Sequence, residues 1–157
     1  MYVEDIGDGG SKDNKLERDI KLLKQDIKEY PNVDRFKFYL AGTYFSCELY
    51  ELAEKYYKER IEMNNWKEEV YYSYYRIGLI NIINKDYDKA IMNFLNGYNA
   101  SPKRVECLYY LVKIYKVKNM DNLVKLFKDK IEEVKNIIDN KHLFIDKNIY
   151  LELGVKI

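Results

Sequence analysis

The stretch Tyr74-Tyr75-Arg76-Ile77-Gly78-Leu79 decides the fold, together with Tyr87-Asp88-Lys89-Ala90-Ile91-Met92-Asn93-Phe94 beyond the polar break Asn84-Lys85-Asp86. Apolar residues recur at helical spacing on both sides of that break, the pattern of two helices joined by a tight turn. The same order occurs upstream at a constant offset of 37, with Leu40 in the place of Ile77, Tyr50 of Tyr87, Ala53 of Ala90 and Tyr57 of Phe94. Downstream the offset becomes 34, with Leu108 for Tyr74, Leu111 for Ile77 and Asn119 for Lys85. The small residues in these frames, Ala41, Gly78, Ala53 and Ala90, fall where two helices of a hairpin must approach closely, and a larger side chain would hold them apart.

A 34-residue helix-turn-helix period resembles the tetratricopeptide repeat. The first unit carries Leu40, Ala41, Tyr44, Tyr50, Ala53 and Tyr57, and the second Tyr74, Ile77, Gly78, Tyr87, Ala90, Phe94 and Pro102. The third, roughly Val105 to Ile138, keeps Leu108, Leu111 and Tyr115 but has Val124 where alanine is expected and Lys128 where an aromatic is expected, so it is degenerate. The resemblance implies an all-α, right-handed helical-hairpin solenoid of about three repeats plus flanking helices.

The spacing predicts helices over 15–30, 34–46, 50–63, 67–83, 87–99, 103–117 and 121–138, with a short one near 146–153. Asn14 with Glu17 and Asn65 with Glu68 read as capping boxes, and Ser101-Pro102 as an N-cap followed by a first-turn proline. Asn64 and Asn65 close the preceding helix, where asparagine tolerates the left-handed conformation. Residues 1–14 then form a flexible amino end, 15–138 the repeat domain and 139–157 an apolar closing segment.

Composition narrows the function. The 157 residues carry 27 basic and 26 acidic side chains, 47% hydrophobic and 34% charged residues, a balance that folds and that names no partner by global charge. Lys, Tyr, Ile and Asn supply 69 of the residues, as an AT-rich genome would, so tyrosine abundance alone argues nothing. No apolar run approaches the roughly 18 residues of a membrane span, and Met1 to Gly10 holds three acidic residues and no basic one, unlike a secretory leader. A cytoplasmic chain with no membrane contact is expected. Cys47 and Cys107 are too few and too far apart for a disulfide framework or a metal knuckle. Residues 103–135 are net +4 against −3 for the first 102, a basic face too sparse, and with Arg104 as its one arginine, for nucleic-acid binding.

Longer blocks carry a second resemblance. Asp8-Gly9-Gly10-Ser11-Lys12, Leu16-Glu17-Arg18-Asp19-Ile20, Arg35-Phe36, Phe38-Tyr39-Leu40-Ala41, Tyr56-Tyr57-Lys58, Arg60-Ile61-Glu62-Met63, Trp66 with Glu68-Glu69-Val70, and Phe144-Ile145-Asp146 are similar to the tetratricopeptide-like tail of family 2 glycosyltransferases. The chain departs from that tail in having Asn64-Asn65 in place of two glycines and Gly42 in place of glutamine, and only seven residues precede Asp8. The resemblance implies a tail separated from its catalytic domain, serving either as an independent adaptor or in glycan synthesis beside a separately encoded catalytic domain or a glycan acceptor.

No catalytic, cofactor or metal site is expected. Asp86-Tyr87-Asp88 spells the Asp-x-Asp of metal-bound sugar nucleotides, but its register makes Asp86 an N-cap and Tyr87 a packing aromatic. Asp5 and Asp8 beside Gly9-Gly10 have no preceding strand and no following Gly-Lys-Ser or Gly-Lys-Thr. His142 is the one histidine and lies outside the repeats, so no triad can be assembled. Cys107, near a helix start, invites a lowered thiol pKa, yet a packed small side chain is the expected role.

The remaining candidate is the groove lined by first helices of tetratricopeptide arrays. The register places Phe38 and Phe45, then Tyr72 and Tyr75, then Tyr109, Lys113 and Lys116 along it, aromatic at one end and basic at the other. A protein or peptide partner is expected there. The carboxylate clamp of chaperone-binding arrays is not matched, since Gly42, Leu79 and Lys113 stand where asparagine would. Two readings stay open: an exposed ligand groove, or a groove covered by the chain's own Leu143–Leu153.

Overall fold

A computed structural model describes residues 9–138 and 144–157. Every regular element among them is helical: α1 (Gly9–Glu29), α2 (Asp34–Ser46), α3 (Tyr50–Glu62), α4 (Lys67–Ile83), α5 (Tyr87–Ala100), α6 (Glu106–Val117), α7 (Asp121–Val134) and α8 (Lys147–Glu152). The chain divides into two compact units, Met1–Arg60 and Ile61–Ile157.

The repeat is written into the turns as well as the helices. Glu48, Lys85 and Asn119 all adopt positive φ, at 59°, 59° and 56°, and they are separated by the same 37 and 34 residues as the sequence frames. Each closes its helix in the same way: the amide after it bonds back five residues, Leu49 to the Tyr44 carbonyl, Asp86 to Asn81 and Met120 to Tyr115, at 2.8–3.0 Å, while its own amide bonds back three, Glu48 to Phe45, Lys85 to Ile82 and Asn119 to Lys116. This double closure of the last carbonyls is the Schellman arrangement. It reverses the chain within three residues and sets each second helix back along its first. Gly154, at φ 77°, ends α8 by the same geometry, with Val155 bonding to the Tyr150 carbonyl at 3.0 Å.

In the first unit α1 packs on α2, and α2 meets α3 through aromatic rings. Leu40, Ala41, Tyr44, Ala53 and Tyr57 are buried. Phe38 lies edge-on to Tyr57 at 6.1 Å between ring centroids, and Tyr44 stacks on Tyr56 at 5.7 Å. The second unit stacks the hairpins α4–α5 and α6–α7, with α5 against α6. Its equivalent of the Phe38–Tyr57 pair is Tyr75–Phe94 at 6.3 Å. A Cβ on Gly78 would lie 2.4 Å from the Phe94 ring, so the close approach expected of that position is real. The degenerate hairpin recovers its aromatic one residue early: Lys128 is exposed, and Phe127 is buried in a stack on Tyr115 at 5.6 Å. The fold is all-α and tetratricopeptide-like.

Three caps differ from expectation. Helix α1 begins at Gly9, so Asn14 lies inside it and caps nothing. The N-cap of α4 is Trp66, in the left-handed region at φ 39°, whose carbonyl receives the amides of Glu69 and Val70; the expected left-handed asparagine is Asn64, at φ 44°. Ser101 ends α5, and Pro102 belongs to a separate turn that Arg104 closes by bonding to the Ser101 carbonyl at 3.2 Å, which delays α6 to Glu106. That delay lets Arg104 enter the core. Asp86 caps α5 as expected, accepting from the Lys89 amide at 3.2 Å, but Tyr87 is 44% exposed and packs into no core. His142, Leu143, Asp5 and Asp8 lie outside the described residues.

Candidate functional site: the aromatic and basic face of the second unit

The site is built on α4, α6 and the closing segment 144–157. At its base Arg104 is fully buried, and the guanidinium forks onto Glu106 at 2.7 and 3.2 Å, bonds Glu68 at 2.6 Å and donates to the Phe144 carbonyl at 3.3 Å. Its plane lies over the Tyr71 ring, 4.6 Å from the centroid. The Tyr71 hydroxyl donates to Glu106 at 3.0 Å and accepts from the Cys107 amide at 3.1 Å. Burial opposes the charge on Arg104, but hydrogen bonds and ion pairing with Glu106 outweigh it and hold the guanidinium above its ordinary pKa. Burial also drives the Cys107 thiol well up, so the activated thiolate that a helix start can produce is not formed here. Nothing in the sequence pattern flagged this cluster. A lone arginine in a basic stretch reads as solvated, and only the turn at Ser101–Val105 turns it inward.

The closing segment lies on the faces of α4 and α6. The Phe144 ring packs on Tyr72 at 5.2 Å. The Asp146 carboxylate accepts from the Tyr75 hydroxyl at 2.9 Å, and its amide donates to Glu106 at 3.3 Å. Tyr109 donates to Glu152. Ile149, Tyr150 and Val155 are buried in the core of the unit. Burial, followed by the nearby Asp146 carboxylate, keeps the Tyr75 hydroxyl protonated far above its usual pKa.

The expected groove residues therefore separate. Phe38 and Tyr75 are buried, at 4% and 1% exposure, and neither offers a surface to a partner. Phe45 is half-buried, edge-on to Tyr50 at 5.5 Å. Tyr72 and Tyr109 are half-buried against the closing segment. Lys113 and Lys116 are exposed. The Lys113 ammonium sits 4.4 Å from the Tyr109 ring centroid and 5.9 Å from that of Tyr110, and its hydrogen bond to Tyr109 strengthens its hold on the proton.

Two concavities flank Lys113. One, of about 520 Å³, is lined by charges of both signs, Lys113, Lys116 and Lys128 with Asp129, Glu132 and Glu152. The other, of about 300 Å³, is lined by Ile82, Tyr87, Tyr110, Ile114 and Val117 together with Lys113 and Lys118. Among the described residues no helix is long and apolar enough to cross a membrane.

No protein-family model matches the chain, and no curated protein matches it. Among solved structures, the crystal structure of MamA is similar at 21% sequence identity and a TM-score of 0.40, over 84% of this chain and 95% of that one.

Proposed function

We propose that the chain is a non-catalytic protein-interaction module whose contact surface is the part of this face that the closing segment leaves uncovered. The observation that carries the reading is the cluster of Tyr109, Tyr110 and Lys113. It places an exposed ammonium over two aromatic rings at the mouth of an apolar cleft, a combination suited to holding a partner's apolar anchor beside an acidic group. The same reading places the chain in a reducing, cytoplasmic setting, where the half-buried Cys47 and buried Cys107 stay free thiols. The test is affinity capture with wild type and with Tyr109→Ala/Lys113→Ala/Lys116→Ala. Recovery of a partner by the wild type and its loss from the variant support the reading; the same proteins from both, or none from either, overturn it.

The finer reading, an accessory tail acting with a separate family 2 glycosyltransferase domain or docking a glycan acceptor, rests on the sequence blocks. One of them, Phe144-Ile145-Asp146, is built into this face. It requires the chain to bind such a catalytic domain while its own turnover of sugar nucleotides with manganese or magnesium stays at background. Turnover lost on Asp86→Asn and Asp88→Asn would show instead that the chain is catalytic.

A further inference from the structure

We infer that the cleft between the α4–α5 turn and the carboxyl end of α6 is a single-anchor docking site for an acidic linear segment of a partner protein, one that inserts one large aliphatic or aromatic side chain between flanking carboxylates. This deepens the interaction-module reading and rests on it.

The cleft holds about 300 Å³, room for one or two side chains and not for a helix. Two of its lining residues expose large apolar surface to water. Tyr87 is 44% exposed where the repeat register calls for a packing aromatic, and Val117 is 81% exposed at the end of α6. An apolar side chain placed between them would remove both from water.

The charged side chains that line the cleft, Lys113 and Lys118, are both basic. Asp88 pairs with Lys118 at 3.2 Å, and its side chain is 90% exposed. Such a pair is strongly screened by water, so an incoming carboxylate can replace it. The neighbouring concavity, by contrast, mixes lysines with Asp129, Glu132 and Glu152, and selects for no charge.

The closing segment shows what the adjoining surface accepts and limits what else can bind. Phe144 rests on Tyr72, and two residues later Asp146 takes the Tyr75 hydroxyl. An aromatic followed by a carboxylate is thus already matched to this face in cis. The same segment covers the Tyr72 and Tyr75 end, so a partner peptide cannot run the length of the face and engages the cleft alone.

Fluorescence anisotropy with labelled twelve-residue peptides tests this on the full chain. Three probes are compared: glutamates flanking a central Leu-Phe, the same peptide with Ala-Ala at the centre, and the Leu-Phe peptide with lysines for glutamates. Saturable binding of the first probe alone is expected. Val117→Glu, at a position too exposed to disturb folding, should weaken it at least about tenfold, a change of about 1.4 kcal/mol, with circular dichroism and melting unchanged, and Lys113→Gln/Lys118→Gln should weaken it as much with helical circular dichroism retained. Equal binding of all three probes, preference for the basic one, or indifference to both variants overturns the inference. So does self-association that Val117→Glu abolishes without peptide binding, which would make a second copy the occupant. If the capture experiment recovers a partner while no probe binds, the module reading stands and the single-anchor cleft falls; if neither succeeds, both fall.

Discussion

The carboxylate of Glu106 and the guanidinium of Arg104 form a two-pronged ion pair, at 2.7 and 3.2 Å, with both side chains excluded from water. Residues two apart at the start of α6 do not normally face each other. They do so here because Arg104 precedes the helix, in the turn closed by Ser101. Through Glu68 and Tyr71 the pair holds α4, and through the Phe144 carbonyl and the Asp146 amide it holds the closing segment.

Removing one partner should therefore leave a buried charge only partly compensated, a loss of about 3–5 kcal/mol. Glu106→Gln and Arg104→Met are each expected to destabilise the second unit by that order, and the double variant by clearly less than their sum. Urea unfolding of the three proteins measures this. Additive losses would mean the two side chains act independently.

The glycines of the repeat frames predict opposite signs for one substitution. A methyl on Gly78 would sit 2.4–2.7 Å from three atoms of the Phe94 ring, and that ring is held in a stack on Tyr110 at 5.5 Å, so it cannot yield. A methyl on Gly42 would sit 3.8 Å from the Tyr57 hydroxyl oxygen, an ordinary contact. Gly42→Ala should stabilise by roughly 0.5–1 kcal/mol through lower backbone entropy in the unfolded chain and better helix propensity. Gly78→Ala should destabilise by about 1–3 kcal/mol, the usual cost of overpacking. Thermal melting of both decides it.

Stability should fall in alkali above pH 10. Burial raises the hydroxyl pKa of Tyr71, Tyr75, Tyr110 and Tyr115, and pushes that of Tyr150 up to about 12. Below about pH 10 both folded and unfolded chains keep these protons and stability is unaffected. Above it the unfolded chain releases protons that the folded one retains, so the slope of stability against pH becomes negative, reaching at most about 1.4 kcal/mol per pH unit for each tyrosine ionised in the unfolded chain and still protonated in the folded one. Phenolate absorbance should show one group of tyrosines titrating freely and a second ionising together with loss of helical circular dichroism. A single smooth titration with helix retained would contradict the burial.

The hairpins were legible in the sequence because the repeat fixes side-chain volume at set intervals. Gly78, Ala53 and Ala90 are small where helices touch, and the turn residues Glu48, Lys85 and Asn119 follow the same register. The site was less legible. Periodicity assigned Phe38 and Tyr75 to a surface, but whether a half-helix face stays open depends on what else the chain lays over it, and nothing local to Tyr75 encodes the arrival of Asp146. Tyr87 failed in the opposite direction: its register called for packing, while the turn points it outward. Arg104 was illegible for a third reason, since its burial is decided by where α6 starts, and Ser101-Pro102 is as compatible with a first helical turn as with the separate turn that forms.

The same dependence gives a test of how firmly the closing segment is held. Tyr75 donates to Asp146 at 2.9 Å in a half-buried setting, and hydrogen bonds to a charged group contribute about 1.5–3 kcal/mol. Tyr75→Phe and Asp146→Ala should each cost about that much, with a coupling of at least about 0.5 kcal/mol in the double variant, because each single change already removes the shared bond. Loss of the bond should also be felt locally: amide hydrogen exchange should accelerate in α8 (Lys147–Glu152) while α4 and α5, packed against each other, stay protected. Binding of the acidic Leu-Phe peptide should be unchanged, since the cleft of Ile82, Ile114 and Val117 does not include Tyr75. Additive costs with unaltered exchange in α8 would mean that Ile149 and Tyr150 alone anchor the segment and that the Tyr75–Asp146 bond contributes nothing to covering the face.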